Sequence, residues 1–106
     1  MIPGKEVEIG GKKYVLPPIN IASLRKHQAF LDRSREFVDN PDEVGMRDML
    51  EMTEIVKESL ARNYPVLDLN EIEQDLDIEK LTECFTAVMR ANAAGPAMGE
   101  KKPASA

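Results

Sequence analysis

The sequence has no tryptophan, one cysteine, one histidine, and only three Phe and two Tyr among 106 residues. Each scarcity excludes something. Cys84 cannot close an internal disulfide by itself, so no disulfide framework holds the fold and a reducing, intracellular setting is expected. Cys84 and His27 are the only soft metal ligands, so a zinc site would have to recruit carboxylates or a second chain. The few aromatics leave little to stack on nucleic-acid bases. The 14 Lys and Arg against 19 Asp and Glu give a net charge of −5, opposite to what a phosphate backbone requires. No run approaches the roughly 18–20 apolar residues needed to cross a bilayer, and Met1–Glu6 lacks the apolar core of a signal peptide. A cytoplasmic protein that binds neither nucleic acid nor membrane is expected.

What is present is one modest core's worth of apolar residues, 42% of the chain, too many for a disordered polypeptide. Glu6–Ile9 and Lys13–Leu16 flank Gly10-Gly11, and paired glycines supply the positive φ angles of a tight hairpin turn. A two-residue loop sets Ile9 opposite Lys12, Glu8 opposite Lys13 and Val7 opposite Tyr14. One face then carries Val7, Ile9, Tyr14 and Leu16, while the other places Glu8 against Lys13 as a cross-strand charge pair. Pro17-Pro18 ends the second strand.

Helices follow. Asn20 is an N-cap for a helix through Ile21, Leu24, Phe30, Leu31 and Phe37-Val38. Asn40 and Pro41 open the next, which runs to about Asn63 with a stripe of Met49, Met52, Ile55-Val56 and Leu60, Gly45 weakening its first turn. Asn63 suits a left-handed C-cap before Pro65. A short helix near Asn70–Asp75 precedes a last one capped by Asp77, carrying Ile78, Leu81, Cys84-Phe85 and Val88-Met89, and ended by Gly95-Pro96. The expected fold is mainly α (α+β): an N-terminal hairpin, about 5–16, packed on a bundle of three to four helices. Residues 1–95 form a single domain and 96–106 a flexible tail.

No catalytic, cofactor or metal constellation emerges. Gly10-Gly11-Lys12 lacks the earlier glycine and the following Ser or Thr of a phosphate loop. The acidic stretch Asp68–Glu79 has Glu73 where a calcium loop needs glycine. Cys84 lies on an apolar stripe and His27 beside one, so a small core thiol and a partly exposed structural imidazole are expected. Two features carry both a functional and a structural reading. Met49 and Met52, with Met46 nearby, either fill the core or grip varied apolar partners. Arg62, Asn63, Tyr64 and Pro65 either anchor a partner at a helix end or cap and turn the chain.

A family resemblance adds to this. A short hairpin leads into Leu16-Pro17-Pro18-Ile19-Asn20-Ile21 and a helix opening Ala22-Ser23-Leu24-Arg25-Lys26. Ala61-Arg62-Asn63-Tyr64-Pro65 follows at the end of the long helix. Then come Leu69–Asp77, Leu81 and Phe85-Thr86-Ala87-Val88-Met89. Over residues 5–92 the chain resembles the tail assembly chaperones of long-tailed bacteriophages. The resemblance implies a non-enzymatic protein that binds the apolar, helical tape measure protein, keeps it soluble and helps recruit the major tail protein. It also implies residence in the infected host's cytoplasm and absence from the mature virion. In many such phages a ribosomal frameshift appends a domain that binds the tail protein. This chain would be the short form, and Gly99-Glu100-Lys101-Lys102 permits a slippery adenine run. Other classes are a tail or head-completion component retained in the virion, and a small acidic regulatory protein that binds a host partner.

The negative charge is uneven. Residues 1–38 carry a net +3 and residues 39–92 a net −9. Within the chain this favours docking the first helix on the later ones. Between chains it favours head-to-tail association into a homo-oligomer.

Overall fold

Pairing of the two glycine-flanked strands and packing of the helices beneath them define the architecture. The computed structural model describes residues 1–37 and 40–98. The elements are β1 (Lys5–Ile9), β2 (Lys12–Leu16), α1 (Ile21–Lys26), α2 (Gln28–Ser34), α3 (Met46–Asn63), α4 (Leu69–Gln74) and α5 (Ile78–Met98). Short 3₁₀ turns lie at Arg35–Phe37 and Pro41–Glu43. The fold is α+β, a two-stranded N-terminal hairpin on helices.

The hairpin has the register that its alternation demands: Val7 faces Tyr14, Glu8 faces Lys13 and Ile9 faces Lys12. Gly10 and Gly11 take φ of +60° and +82°, the left-handed values a two-residue turn needs and that a side chain resists. Val7, Ile9, Tyr14 and Leu16 are buried, with β1 against α5 and β2 against α3. Ile55, Val56 and Leu60 of α3 and Cys84 and Val88 of α5 complete that layer, each fully buried. Full burial of one such aliphatic side chain stabilises by about 1.5–3 kcal/mol, so this contact is the main source of stability.

Local structure departs from expectation at several points. The segment after Asn20 is not one helix: α1 ends and α2 begins at His27, at φ −106° and ψ 16°. The imidazole there is only 4% exposed, not partly exposed as its place beside the stripe suggested. It sits between Glu51 and Glu58 of α3, and reaching both takes precedence over straight helical continuation. Ile21 and Ile78, expected on apolar stripes, are exposed, and Val38 lies outside the described residues.

The long helix starts at Met46, not at Pro41, because Asp48 accepts the Gly45 N–H at 2.9 Å and is itself held by Arg33. Its end is not a left-handed Asn63. Asn63 is the last helical residue, and Tyr64 closes the helix at φ −131° through its N–H to the Leu60 carbonyl. Helix α5 runs through Gly95-Pro96 to Met98, past the end expected at that pair. The remainder of the expected tail, 99–106, lies outside the described residues. Asp68 and Asp77 cap α4 and α5 with hydrogen bonds of 3.0 Å to the Asn70 N–H and 2.7 Å to the Lys80 N–H. The acidic stretch is thus a pair of helix starts.

Candidate functional site

The last turn of α3 and the residue after it present polar side chains toward the hairpin and the N-terminal arm. Asn63 holds the arm through both halves of its amide: Oδ1 accepts the Ile2 N–H at 2.7 Å and Nδ2 donates to the Ile2 carbonyl at 2.9 Å. Nδ2 also reaches the Val15 carbonyl at 3.2 Å. The Tyr64 hydroxyl accepts the Val15 N–H at 2.8 Å, and its ring meets Tyr14 edge-on with centroids 5.3 Å apart. Arg62 donates to the Pro18 carbonyl, and the buried Ser59 hydroxyl donates to the Pro17 carbonyl at 2.7 Å. Pro65 is exposed in the turn toward α4. Arg62, Asn63 and Tyr64 therefore fasten the hairpin, the Pro17-Pro18 segment and the N-terminal arm to α3.

From α5, Asn92 grips the same segment. Its Oδ1 accepts the Ile19 N–H at 3.1 Å and its Nδ2 donates back to the Ile19 carbonyl at 3.3 Å. Held from both helices, residues 18–21 and the arm at Ile2-Pro3 enclose a cleft of about 470 Å³. Its lining is mainly apolar and includes Ile19, Ile21, Ala91 and one charged helix residue, Arg62. Ile21 is 68% exposed. This cleft is the candidate site, and of the residues singled out in the sequence only Arg62 borders it. Met52 is buried and Met49 is half-buried against the core, so both pack inward and neither lines the cleft, whereas Met46 is exposed.

A second polar cluster joins α1 and α2 to α3. The His27 Nδ1 lies 3.0 Å from Glu51, its Nε2 lies 3.1 Å from Glu58, and Lys26 pairs with Glu58 at 2.9 Å. Burial raises the Glu58 pKa, but hydrogen bonds from Lys26, Ser23 and His27 outweigh it and hold the carboxyl below its ordinary value. Asp48 is likewise held low, first by the Arg33 guanidinium and then by the Gly45 N–H. Basic residues of the N-terminal third thus dock on acidic residues of α3, which answers the uneven charge inside one chain.

Among the described residues, no three His, Cys, Asp or Glu side chains converge as metal ligands. Burial pushes the Cys84 thiol up to about 11, which keeps it protonated and weakly nucleophilic near neutral pH. Ser59, Asn92 and the two glutamates around His27 escaped the sequence reading. Their partners lie 24 to 73 residues away, and the one local signal was a lone Asn92 among alanines. No helix is long and apolar enough to cross a membrane among the described residues. Comparison with protein-family models, curated proteins and solved structures finds no match.

Proposed function

We propose that the chain is a non-enzymatic tail assembly chaperone of a long-tailed bacteriophage. It binds apolar helical stretches of the tape measure protein and keeps them in solution in the host cytoplasm while tail tube subunits are recruited. The observation that carries this reading is the apolar cleft between the N-terminal arm and residues 18–21. An amphipathic or apolar helix docks by inserting side chains spaced three and four apart. The cleft lies toward the low end of the about 300–1,000 Å³ of small-molecule sites, so it takes one or two anchor side chains and not a whole helix. Grip on a long client then comes from several copies acting together. Arg62 at the cleft is the point where the Arg-Asn-Tyr-Pro run and this surface meet. Contact with the major tail protein falls to a longer form, extended by a frameshift near Gly99–Lys102.

Co-expression with the cognate tape measure protein tests the proposal. The client is expected in the soluble fraction only when this chain is present. Ile21→Asp, at an exposed position lining the cleft, is expected to lose that effect with stability unchanged to within about 0.5 kcal/mol. Equal client solubility with and without the chain removes the reading. Its recovery from purified virions by mass spectrometry would replace it with a retained tail component.

A further inference from the structure

The two outer edges of the hairpin are treated differently. With a two-residue loop, Ile9–Lys12, Val7–Tyr14 and Lys5–Leu16 are the hydrogen-bonded pairs. The N–H and C=O groups of Glu6, Glu8, Lys13 and Val15 therefore point away from the ladder. On β2, Val15 has both outward groups occupied, by the Tyr64 hydroxyl and the Asn63 amide, while no hydrogen bond among the described residues reaches those of Lys13 beside the turn. On β1, no hydrogen bond among the described residues reaches the outward groups of Glu6 or Glu8. An open edge of this kind is a template for another strand.

The ground beside that edge is prepared for one. Alongside Lys5–Val7, α5 borders an open trough of about 380 Å³ with Thr82, Glu83, Thr86, Ala87 and Arg90. An added strand would lie about 4.8 Å from β1, where the short side chains of Thr86 and Ala87 leave room above the helix. The outward face of β1 carries Glu6 and Glu8, and neither forms an ion pair among the described residues, so the charge pair expected between Glu8 and the opposing Lys13 is not closed.

We propose that β1 is a docking edge for an extended segment of a partner protein, with basic residues on its solvent face and a small apolar residue turned toward α5. Main-chain hydrogen bonds to Glu6 and Glu8 supply affinity, and the alternation supplies register. Lys or Arg opposite Glu6 and Glu8 complements their charge, while the residue opposite Val7 enters the trough. A second copy of β1 fits poorly. Antiparallel pairing about Val7 sets Glu6 of one copy against Glu8 of the other, a direct like-charge opposition. The edge is a different surface from the cleft, and the proposal stands independently of the chaperone reading.

The test uses the full chain and two synthetic peptides, one alternating Lys and Val and one alternating Glu and Val. The Lys-Val peptide is expected to slow amide exchange at Glu6 and Glu8. It should bind more tightly than the Glu-Val peptide, by up to about fivefold for each opposed charge. The double variant E6P/E8P removes both outward donors without touching a ladder pair, and should abolish binding while exchange at Tyr14 stays slow. Where those prolines unfold the chain, E6K/E8K takes their place and must invert the preference toward the Glu-Val peptide. Three results overturn the proposal. They are binding indifferent to these variants, no protection of Glu6 and Glu8 at millimolar peptide, and a peptide-free dimer in which those amides are already protected.

Discussion

The hairpin and the α1–α2 segment both pack on α3, yet they are held by different forces. The hairpin presents an unbroken apolar row, Val7, Ile9, Tyr14 and Leu16, to fully buried partners on α3 and α5. Its polar fastenings are neutral: a serine, an asparagine and a tyrosine hydrogen-bonded to main chain. The α1–α2 segment buries Phe30 and His27, leaves Leu24 and Leu31 half-covered, and otherwise docks through Lys26–Glu58, His27–Glu51, His27–Glu58 and Arg33–Asp48. Apolar burial has no charge for salt to screen or acid to neutralise, whereas partly exposed carboxylate ion pairs are screened by salt and lost once the carboxylate protonates. One end of the molecule is therefore built to stay closed, and the other has its attachment set by solution conditions.

The contrast can be broken from the apolar side first. Leu60→Ala empties a fully buried position in the core beneath the hairpin and is expected to cost about 2–5 kcal/mol, read as a lower denaturation midpoint with unchanged slope. Gly10→Ala forces a side chain into a left-handed turn and brings its Cβ within 2.5 Å of the Asp75 carboxylate. A loss of about 1–2 kcal/mol is expected. Tyr64→Phe keeps the edge-on contact with Tyr14 and removes the acceptor for the Val15 N–H. The cost should be about 1 kcal/mol, together with faster exchange of the Val15 amide. Neither turn nor edge variant should alter the response to salt.

The charged side gives the smallest and most local effect. Asp48 and Glu58 are both held below their ordinary values in the folded chain. The stability they contribute is therefore present above the usual carboxylate range near about 4 and is lost as pH falls through the lower folded values. Lowering the pH below about 4 should speed amide exchange in α2 before it affects β1 or β2, and 1 M salt at neutral pH should do the same in weaker form. Arg33→Gln should remove part of the acid response without touching the hairpin. Simultaneous loosening of hairpin and α2 would erase the distinction drawn between them.

Legibility followed the range of the interactions. The hairpin's register was readable, though each strand starts one residue earlier than expected, because a period of two and two adjacent glycines leave one register that buries a single apolar face. The helix caps Asn20 and Asp77 were readable because each bonds an N–H three residues on. The kink at His27 was not, since it depends on carboxylates 24 and 31 residues ahead. The start of α3 at Met46 was hidden for the same reason, its Asp48 being held by Arg33 from another helix. At the candidate site, the Arg62–Pro65 run was visible as a helix end. The cleft beside it was not, because Ile2, Ile19, Arg62 and Ala91 are adjacent only after folding.

By itself the sequence determined a hairpin with one apolar face, the periods of the long helices, and a chain basic at its start and acidic beyond. Those are consequences of local geometry and composition, and no distant residue can change them. Only the tertiary structure decided where the charges meet, which strand edge is covered and which stays open, and that an apolar cleft lies against Arg62. Each of these depends on which surfaces pack together, and packing is chosen by the burial of the whole core and not by any short stretch of chain.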